Sequence, residues 1–164
     1  MKTYLTIAAA CLALQVVAPA CEAKEPPAAS AKAQTAQAQI EQVLVKYEQA
    51  LNTSDVNAAV QLYTDDGVFM APENPAAVGT DVLRKAYTGV FQAIALKLKF
   101  QIAEIKLLSP EWAELRTTST GTVKILANGA EVPGSNQELF VLHKTKGQWK
   151  IARYAFNSVL RSAK

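Results

Sequence analysis

Residues 36–66 read AQAQIEQVLVKYEQALNTSDVNAAVQLYTDD and carry two consecutive helical patterns. Apolar side chains recur at helical spacing in the first part, which predicts a helix over 36–52 with one buried stripe. A polar break follows, in which Asp55 is a typical N-cap for a short second helix that runs to Tyr63. The residues of the stripe are Ile40, Val43, Leu44, Tyr47 and Leu51.

The pattern then changes from helical to strand-like spacing. Residues 65–67 predict a turn, and Thr80 is the expected cap of a third helix over 81–94. The dipeptides Asn128-Gly129 and Lys146-Gly147 are hairpin turn signals. Strands are predicted over 68–71, 96–108, 111–127, 138–144 and 149–157. Helices followed by a meander of strands indicate an α+β fold, a curved antiparallel sheet wrapped by three N-terminal helices into a cone.

The N-terminal 35 residues do not belong to this domain pattern. Lys2, a short apolar run and small residues near position 23 predict a signal peptide over 1–23, hence a periplasmic or secreted protein. The run is too short for a membrane-spanning helix. Lipid anchoring at Cys21 is an open alternative. Residues 24–35, KEPPAASAKAQT, predict a flexible linker, which leaves 36–164 as the domain.

Composition excludes several classes of function. The chain has 164 residues, which favours one domain, and its net charge of +3 is too small to indicate nucleic-acid binding. Its only cysteines are Cys11 and Cys21, and its only histidine is His143. These counts exclude a Cys/His zinc site, a Cys-x-x-Cys redox pair and a multi-histidine metal cluster. We therefore expect no cofactor and no metal.

Four motifs and a C-terminal pair carry a family resemblance. They are YEQALNTSD at 47–55, LYTDD at 62–66, GTDVL at 79–83, GQWKI at 147–151, and Phe156 with Asn157. With them the chain resembles the cone-shaped superfamily of SnoaL-like polyketide cyclases and ketosteroid isomerases, and most of all its small SgcJ/EcaC-type members. The resemblance covers about residues 40–159. It implies the cone fold and a homodimer, but the superfamily includes isomerases, dehydratases, cyclases and non-catalytic modules.

Three tyrosines match positions that matter in ketosteroid isomerase. There, a tyrosine on the first helix donates a hydrogen bond to the steroid oxyanion, and two further tyrosines support it. The resemblance places Tyr47, Tyr63 and Tyr87 on these positions, so Tyr47 is the candidate catalytic electrophile. The alternative is that all three are core residues, each with one satisfied hydroxyl.

The acidic groups of that enzyme are missing from the matching positions. Ala71 matches the general base, and Leu139 matches the protonated aspartate of the oxyanion hole. Isomerisation needs a group that carries the proton, so the same chemistry is in doubt. Glu73, in the loop after Ala71, is a candidate replacement base.

Strand alternation, aligned by the resemblance, sorts the second half of the chain into two faces. Ser119 and Gly121 are small residues on the inward face, where they either leave volume or relieve a bend. The outward face carries Glu114, Arg116, Thr118, Thr120 and Thr122. The expected ligand-binding residues are Tyr47, Tyr63, Tyr87, Thr117, Ser119, Gln137, Leu139, Tyr154 and Phe156.

Three functional hypotheses follow. The leading one is an exported domain that binds a small apolar or amphipathic molecule in a mostly apolar pocket. The second is an isomerase-, dehydratase- or cyclase-type enzyme that uses Tyr47 as oxyanion donor. The third is a dimerisation or interaction module with a filled interior. An open cavity near Ser119 favours the first two, and a filled one favours the third.

Overall fold

Three helices and six strands make up residues 27–159, the part of the chain that the computed structural model describes. The helices are α1 (Pro27–Asn52), α2 (Val56–Gln61) and α3 (Thr80–Ala93). The strands are β1 (Tyr63–Met70), β2 (Ala77–Val78), β3 (Ile94–Leu107), β4 (Trp112–Ile125), β5 (Glu131–Thr145) and β6 (Gln148–Ser158). The predicted signal peptide, Cys21 and the first residues of the predicted linker lie outside the described residues. Within 27–159, no helix has the length and apolarity needed to span a membrane.

The predicted α+β cone is confirmed. All strands join one sheet in the order β2-β1-β6-β5-β4-β3, and every neighbouring pair except β1 and β6 is antiparallel. Both predicted hairpin turns are present. Gly129, Lys146 and Gly147 have φ values of 73°, 51° and 78°, the left-handed region that tight hairpin turns need.

Helix α1 begins earlier than the sequence predicts. We expected residues 24–35 to be a flexible linker, but the chain is helical from Pro27. Proline is favourable at the first position of a helix, and alanine has the highest helix propensity. The segment 31–39 is mostly exposed, so it has no buried stripe that would mark it as helical in the sequence. That part of the linker prediction is therefore wrong.

Strand β1 replaces the predicted turn at residues 65–67. Tyr63 pairs with Ile151, whereas Val68 pairs with Arg153, so five residues of β1 span two residues of β6. A bulge therefore absorbs the polar residues that suggested a turn. Strand β5 also starts seven residues before its predicted start, because its proline- and glycine-containing beginning pairs with the end of β4.

The C-terminal end of α1 is bound to the edge strand β3 by polar side chains. The Asn52 amide donates to the Leu98 carbonyl at 2.8 Å and accepts from the Leu98 N–H at 2.7 Å. One turn earlier, Glu48 accepts from the Phe100 N–H at 2.8 Å and pairs with Lys99 at 2.9 Å. These contacts satisfy backbone groups that an edge strand otherwise leaves open. They also fix the helix turn that carries Tyr47.

Candidate functional site

Three tyrosine hydroxyls form a chain inside the cone. Tyr87, from α3, has its Oη 2.7 Å from the Oη of Tyr47 on α1 and 2.7 Å from that of Tyr63 at the start of β1. All three side chains are buried. The Tyr87 ring is also stacked on Phe69 at a centroid distance of 5.2 Å. The sequence prediction that these tyrosines meet is therefore correct in position.

Burial keeps these phenols in their neutral form. Desolvation is the largest cause that raises the pKa of Tyr47, Tyr63 and Tyr87 above the ordinary phenol value. At Tyr47 and Tyr63 the neighbouring phenols raise the pKa further, whereas at Tyr87 the two hydrogen bonds oppose part of the rise. Near neutral pH each group is a hydrogen-bond donor and not a base.

A cavity of about 260 Å³ lies between this tyrosine chain and strands β4 and β5. Tyr47 and Tyr87 line it, and Tyr63 does not. Three hydroxyls share two hydrogen bonds, so one hydroxyl hydrogen is left over. If Tyr63 donates to Tyr87 and Tyr87 to Tyr47, the remaining hydrogen belongs to Tyr47, and its candidate acceptors are Tyr154 and a molecule in the cavity. Most of the remaining wall is apolar and consists of Leu51, Phe69, Ala71, Val90, Ile94, Leu96, Leu98, Val123, Tyr154 and Phe156.

The predicted inward face of β5 is wrong. Glu138 pairs with Thr117 of β4 and is buried, while Leu139 pairs with Arg116 and is 43% exposed on the outer face. Gln137 is also exposed, and it donates to Asn157 at 3.1 Å. The alignment with the family put Leu139 inside, but the register of β4 and β5 places Glu138, Phe140 and Leu142 there. Gln137 and Leu139 therefore do not belong to the cavity wall.

Glu138 is the polar residue that sequence reasoning missed. Its Oε2 accepts from the Thr117 hydroxyl at 2.6 Å, and its Oε1 accepts from the Ser119 hydroxyl at 2.5 Å. Ser119 in turn accepts from the Asn136 amide at 3.2 Å. Ser119 and Asn136 line the cavity, whereas Glu138 and Thr117 do not. The signal was present in the sequence, since two inward hydroxyls on β4 need an acceptor on the next strand.

The comparisons with known proteins agree with this architecture. The SnoaL-like domain family matches residues 44–154, which is more than half of the chain. The chain belongs to this SnoaL-like family. The ketosteroid isomerase-like protein from Erwinia carotovora atroseptica SCRI1043 is 38% identical, with a TM-score of 0.73 over 76% of this chain and 96% of that one. No curated protein matches the sequence.

More distant structures share the fold of this SnoaL-like domain. The hexachlorocyclohexane dehydrochlorinase LinA-type3 from Novosphingobium barchaimii LL02 has a TM-score of 0.72 over 80% of this chain and 91% of that one. Its sequence identity is 7%, so the likeness concerns the fold alone.

The SnoaL-like domain has no carboxylate where the ketosteroid isomerases have their base. Ala71 lines the cavity, as the alignment implies, and offers a methyl group only. Glu73 lies in the exposed loop after it, has a φ of 61°, and is not among the cavity-lining residues. His143 stacks on Trp112 at 4.0 Å, at the far end of the sheet. Among residues 27–159, no cluster of three or more His, Cys, Asp or Glu side chains could hold a metal ion.

Of the two small residues predicted on the inward face of β4, Ser119 lines the cavity and Gly121 does not. A Cβ at Gly121 would lie 1.9 Å from the Lys97 carbonyl oxygen, and the φ of 154° is unusual for other residues. Gly121 therefore serves the close approach of β3 and β4 at the bend of the sheet. Gly134, on β5, lines the cavity instead.

Side chains from both faces of strand β6 are buried in the core. Its pairing with β5 shifts between Val141 and Leu142, so Trp149 and Ile151 are buried as well as Ala152 and Tyr154. Strict strand alternation would place Trp149 and Ile151 on the face opposite Ala152 and Tyr154, and the bulge brings both pairs into the core. Tyr154 and Phe156 line the cavity as predicted. Desolvation is the main cause that raises the pKa of Tyr154, followed by the charges of Tyr87 and Glu138.

Proposed function

We propose that this chain is an exported protein whose SnoaL-like domain binds a small, largely apolar molecule in the cavity beside Tyr47. The observation that carries the proposal is a cavity of about 260 Å³ with apolar walls and a few polar groups at fixed positions. Pockets for small molecules have this composition. The volume lies slightly below the usual range of about 300–1,000 Å³, which suits a molecule of one or two rings.

A matched pair of probes tests this proposal. 1-Indanone and indane have the same ring frame, and only the ketone can accept a hydrogen bond from Tyr47. We expect both to bind, and the ketone to bind about two- to tenfold more tightly, the worth of one net hydrogen bond. Tyr47→Phe should remove this preference without abolishing binding. Ligand-observed NMR titration measures both dissociation constants.

A cavity-filling variant supplies the control. Ala71→Leu adds volume at the wall and should abolish the binding of both probes, because close-packed interiors have no room for additional atoms. Ala127→Leu makes the same change at an exposed position in the β4–β5 turn and should leave binding unaltered. Equal binding to both variants would contradict the proposal.

The second candidate function is catalysis of enolisation, as in isomerases and dehydratases, with Tyr47 as oxyanion donor. The hydroxyl chain favours it, because a donor that itself accepts a hydrogen bond is strengthened. The related protein at 38% identity is described as ketosteroid isomerase-like, which supports the same reaction class. Against it, the cavity-lining residues in the described part of the chain include no carboxylate and no imidazole.

Deuterium exchange at the α-carbon of 1-indanone distinguishes binding from catalysis. An enzyme of this class should accelerate the exchange, and Tyr47→Phe should slow it by about 10²- to 10³-fold, the usual loss for one oxyanion-hole donor. Exchange at the rate in buffer would leave binding as the function. A purely structural interaction module would instead bind neither probe.

We also propose a homodimer that pairs through the outer face of the sheet. Leu139 is exposed there, next to Ala103 and Ala155 in a shallow depression. Analytical ultracentrifugation should show a dimer, and Leu139→Glu should shift it toward monomer because it places like charges across the two-fold axis. A wild-type monomer at high concentration would contradict this.

Export is tested at the N-terminus. Signal cleavage at the predicted site gives a mature chain that begins at Lys24 and lacks both cysteines. Intact-mass spectrometry of the protein from its native compartment should give this mass. A mass that corresponds to a chain retaining Cys21 with added acyl groups would indicate lipid anchoring instead.

A further inference from the structure

A second set of polar groups reaches the cavity from β4 and β5. It is the hydrogen-bonded series Asn136, Ser119, Glu138 and Thr117, with successive distances of 3.2, 2.5 and 2.6 Å. Glu138 is 5% exposed, and none of the ion pairs in residues 27–159 includes it. The two hydroxyls of β4 are therefore the groups that satisfy this carboxylate.

The chemistry of these groups fixes the direction of the hydrogen bonds. Both carboxylate oxygens of Glu138 accept, one from Thr117 and one from Ser119, so Ser119 uses its single hydroxyl hydrogen on Glu138. Ser119 can then only accept from its other neighbour. Asn136 must consequently turn its NH₂ group, and not its carbonyl oxygen, toward Ser119. An amide side chain can in general turn either its oxygen or its nitrogen toward a neighbour. Here the hydrogen bond from Ser119 to Glu138 determines that the nitrogen of Asn136 faces Ser119.

The carbonyl oxygen of Asn136 is left for a ligand. Asn136 lines the cavity and is partly buried, and with Nδ2 on Ser119 its Oδ1 faces away from that hydroxyl. No hydrogen bond within residues 27–159 involves this oxygen. A donor group on a bound molecule can therefore hydrogen-bond to this oxygen.

We propose that Asn136 is a specificity-determining residue whose Oδ1 accepts a hydrogen bond from an N–H or O–H group of the ligand, and that Glu138 is a positioning residue that holds this orientation through Ser119. The inference rests on the proposed function, because it concerns the same cavity. Tyr47 offers a donor and Asn136 an acceptor. The ligand class is therefore an apolar ring frame that carries both an acceptor oxygen and a hydrogen-bond donor, as in a hydroxy ketone.

Indole and indene test the acceptor alone. The two molecules have the same shape, indole has an N–H donor, and neither has an oxygen that could accept from Tyr47. The wild-type protein should bind indole about two- to tenfold more tightly than indene, as expected for one net hydrogen bond. Asn136→Leu should bring this ratio close to one. Asn57→Leu, at an exposed position of α2 that does not line the cavity, is the matched control and should keep the wild-type ratio.

Glu138→Leu tests the positioning role. Replacement of a buried charge by an apolar residue of similar size is often tolerated, so the variant should fold. Ser119 then has no carboxylate to donate to and should donate to Asn136 Oδ1, which turns the amide round. The indole-to-indene ratio should fall to about one although Asn136 is intact, and binding of 1-indanone should strengthen relative to indene. If this variant does not fold, Ser119→Ala removes the same link and should lower the ratio.

The outcomes separate the two proposals. Binding of neither indole nor indene to the wild type would overturn the proposed function and this inference together. Equal binding of both, or an unchanged ratio in Asn136→Leu, would overturn the role of Asn136 and leave the cavity proposal standing. An unchanged ratio in both Glu138→Leu and Ser119→Ala would overturn the positioning role of Glu138.

Discussion

Substitution of Tyr87, the central tyrosine of the hydroxyl chain, should show how strongly the hydrogen bonds among the three hydroxyls stabilise the fold. Tyr87→Phe removes one oxygen and both hydrogen bonds of the chain, at 2.7 Å each. The ring itself stays stacked on Phe69, so no cavity is created. What changes is the environment of two other phenols, Tyr47 and Tyr63, which each lose a partner.

The two orphaned hydroxyls differ in their access to water. Tyr63 does not line the cavity, so its hydroxyl remains unsatisfied at a cost of about 1–3 kcal/mol. Tyr47 lines the cavity and can bond to water there, so its loss is about 0.5–1.5 kcal/mol. Tyr87→Phe should therefore lower the free energy of unfolding by about 2–4 kcal/mol. Tyr63→Phe, at the end of the chain, removes one bond and should lower it by about 1 kcal/mol.

Urea unfolding followed by tryptophan fluorescence measures these free energies, provided that the m-value is unchanged. In the double variant Tyr63→Phe/Tyr87→Phe the hydroxyl that Tyr87→Phe leaves unsatisfied at Tyr63 is itself removed, so its cost should be about 1–2 kcal/mol below the sum of the single costs. Additivity within about 0.5 kcal/mol would refute the reasoning. Equal costs for the two single variants would also refute it, because the ranking rests on the central place of Tyr87.

Three further perturbations follow from the same structure. All four buried tyrosines keep their protons in the folded state above pH 10, where unfolded tyrosines lose them. The free energy of unfolding should therefore be unaffected by these groups below pH 10. Above pH 10 it should fall by up to about 1.4 kcal/mol per pH unit for each residue. Tyrosinate absorbance of the mature chain from Lys24, which contains only these four tyrosines, should rise only with alkaline unfolding. Gly121→Ala should lower stability by more than about 3 kcal/mol in thermal unfolding, because its Cβ would meet the Lys97 carbonyl at 1.9 Å. Asn52→Ala should cost about 1–3 kcal/mol in urea, since it leaves the N–H and carbonyl of Leu98 without their partner.

Much of the fold could be predicted from the sequence because the signals are local. Asp55 caps α2 through a hydrogen bond to the Ala58 N–H, as its residue type and position predicted. The periodic stripe of α1 placed Tyr47 on a buried face, and the structure brings its hydroxyl to that of Tyr87. Period and capping depend on residues a few positions apart, so a single sequence contains them.

The errors arose where pairing with another strand decides the structure. The two faces of β5 are both partly apolar, with Leu139 and Val141 on one and Phe140 and Leu142 on the other. The family resemblance therefore decided the choice, and it placed Gln137, Leu139 and Val141 on the inward face. Only the β4 register, which places two hydroxyls beside Glu138, makes the face of Phe140 and Leu142 acceptable in the interior. The bulges of β1 and β6 are likewise set by their partner strands and have no local signal.

The inward face of β5, which was wrongly predicted, contains Glu138, the residue to which we assign a role in the proposed binding site. A leucine there would suit the apolar core better than a carboxylate that must leave water. The hydrogen bonds from Thr117 and Ser119 offset this cost, but they do not make the fold more stable than an apolar side chain would. The carboxylate instead determines the direction of the hydrogen bonds, because it makes Ser119 a donor and leaves Asn136 as an acceptor toward the cavity. Opposite this wall, Tyr47 faces the same space with a neutral phenol that can donate. The two ends of the cavity therefore differ in hydrogen-bonding character. Under the proposed function, this difference, more than the fold shared with distant relatives, determines which molecules the domain can bind.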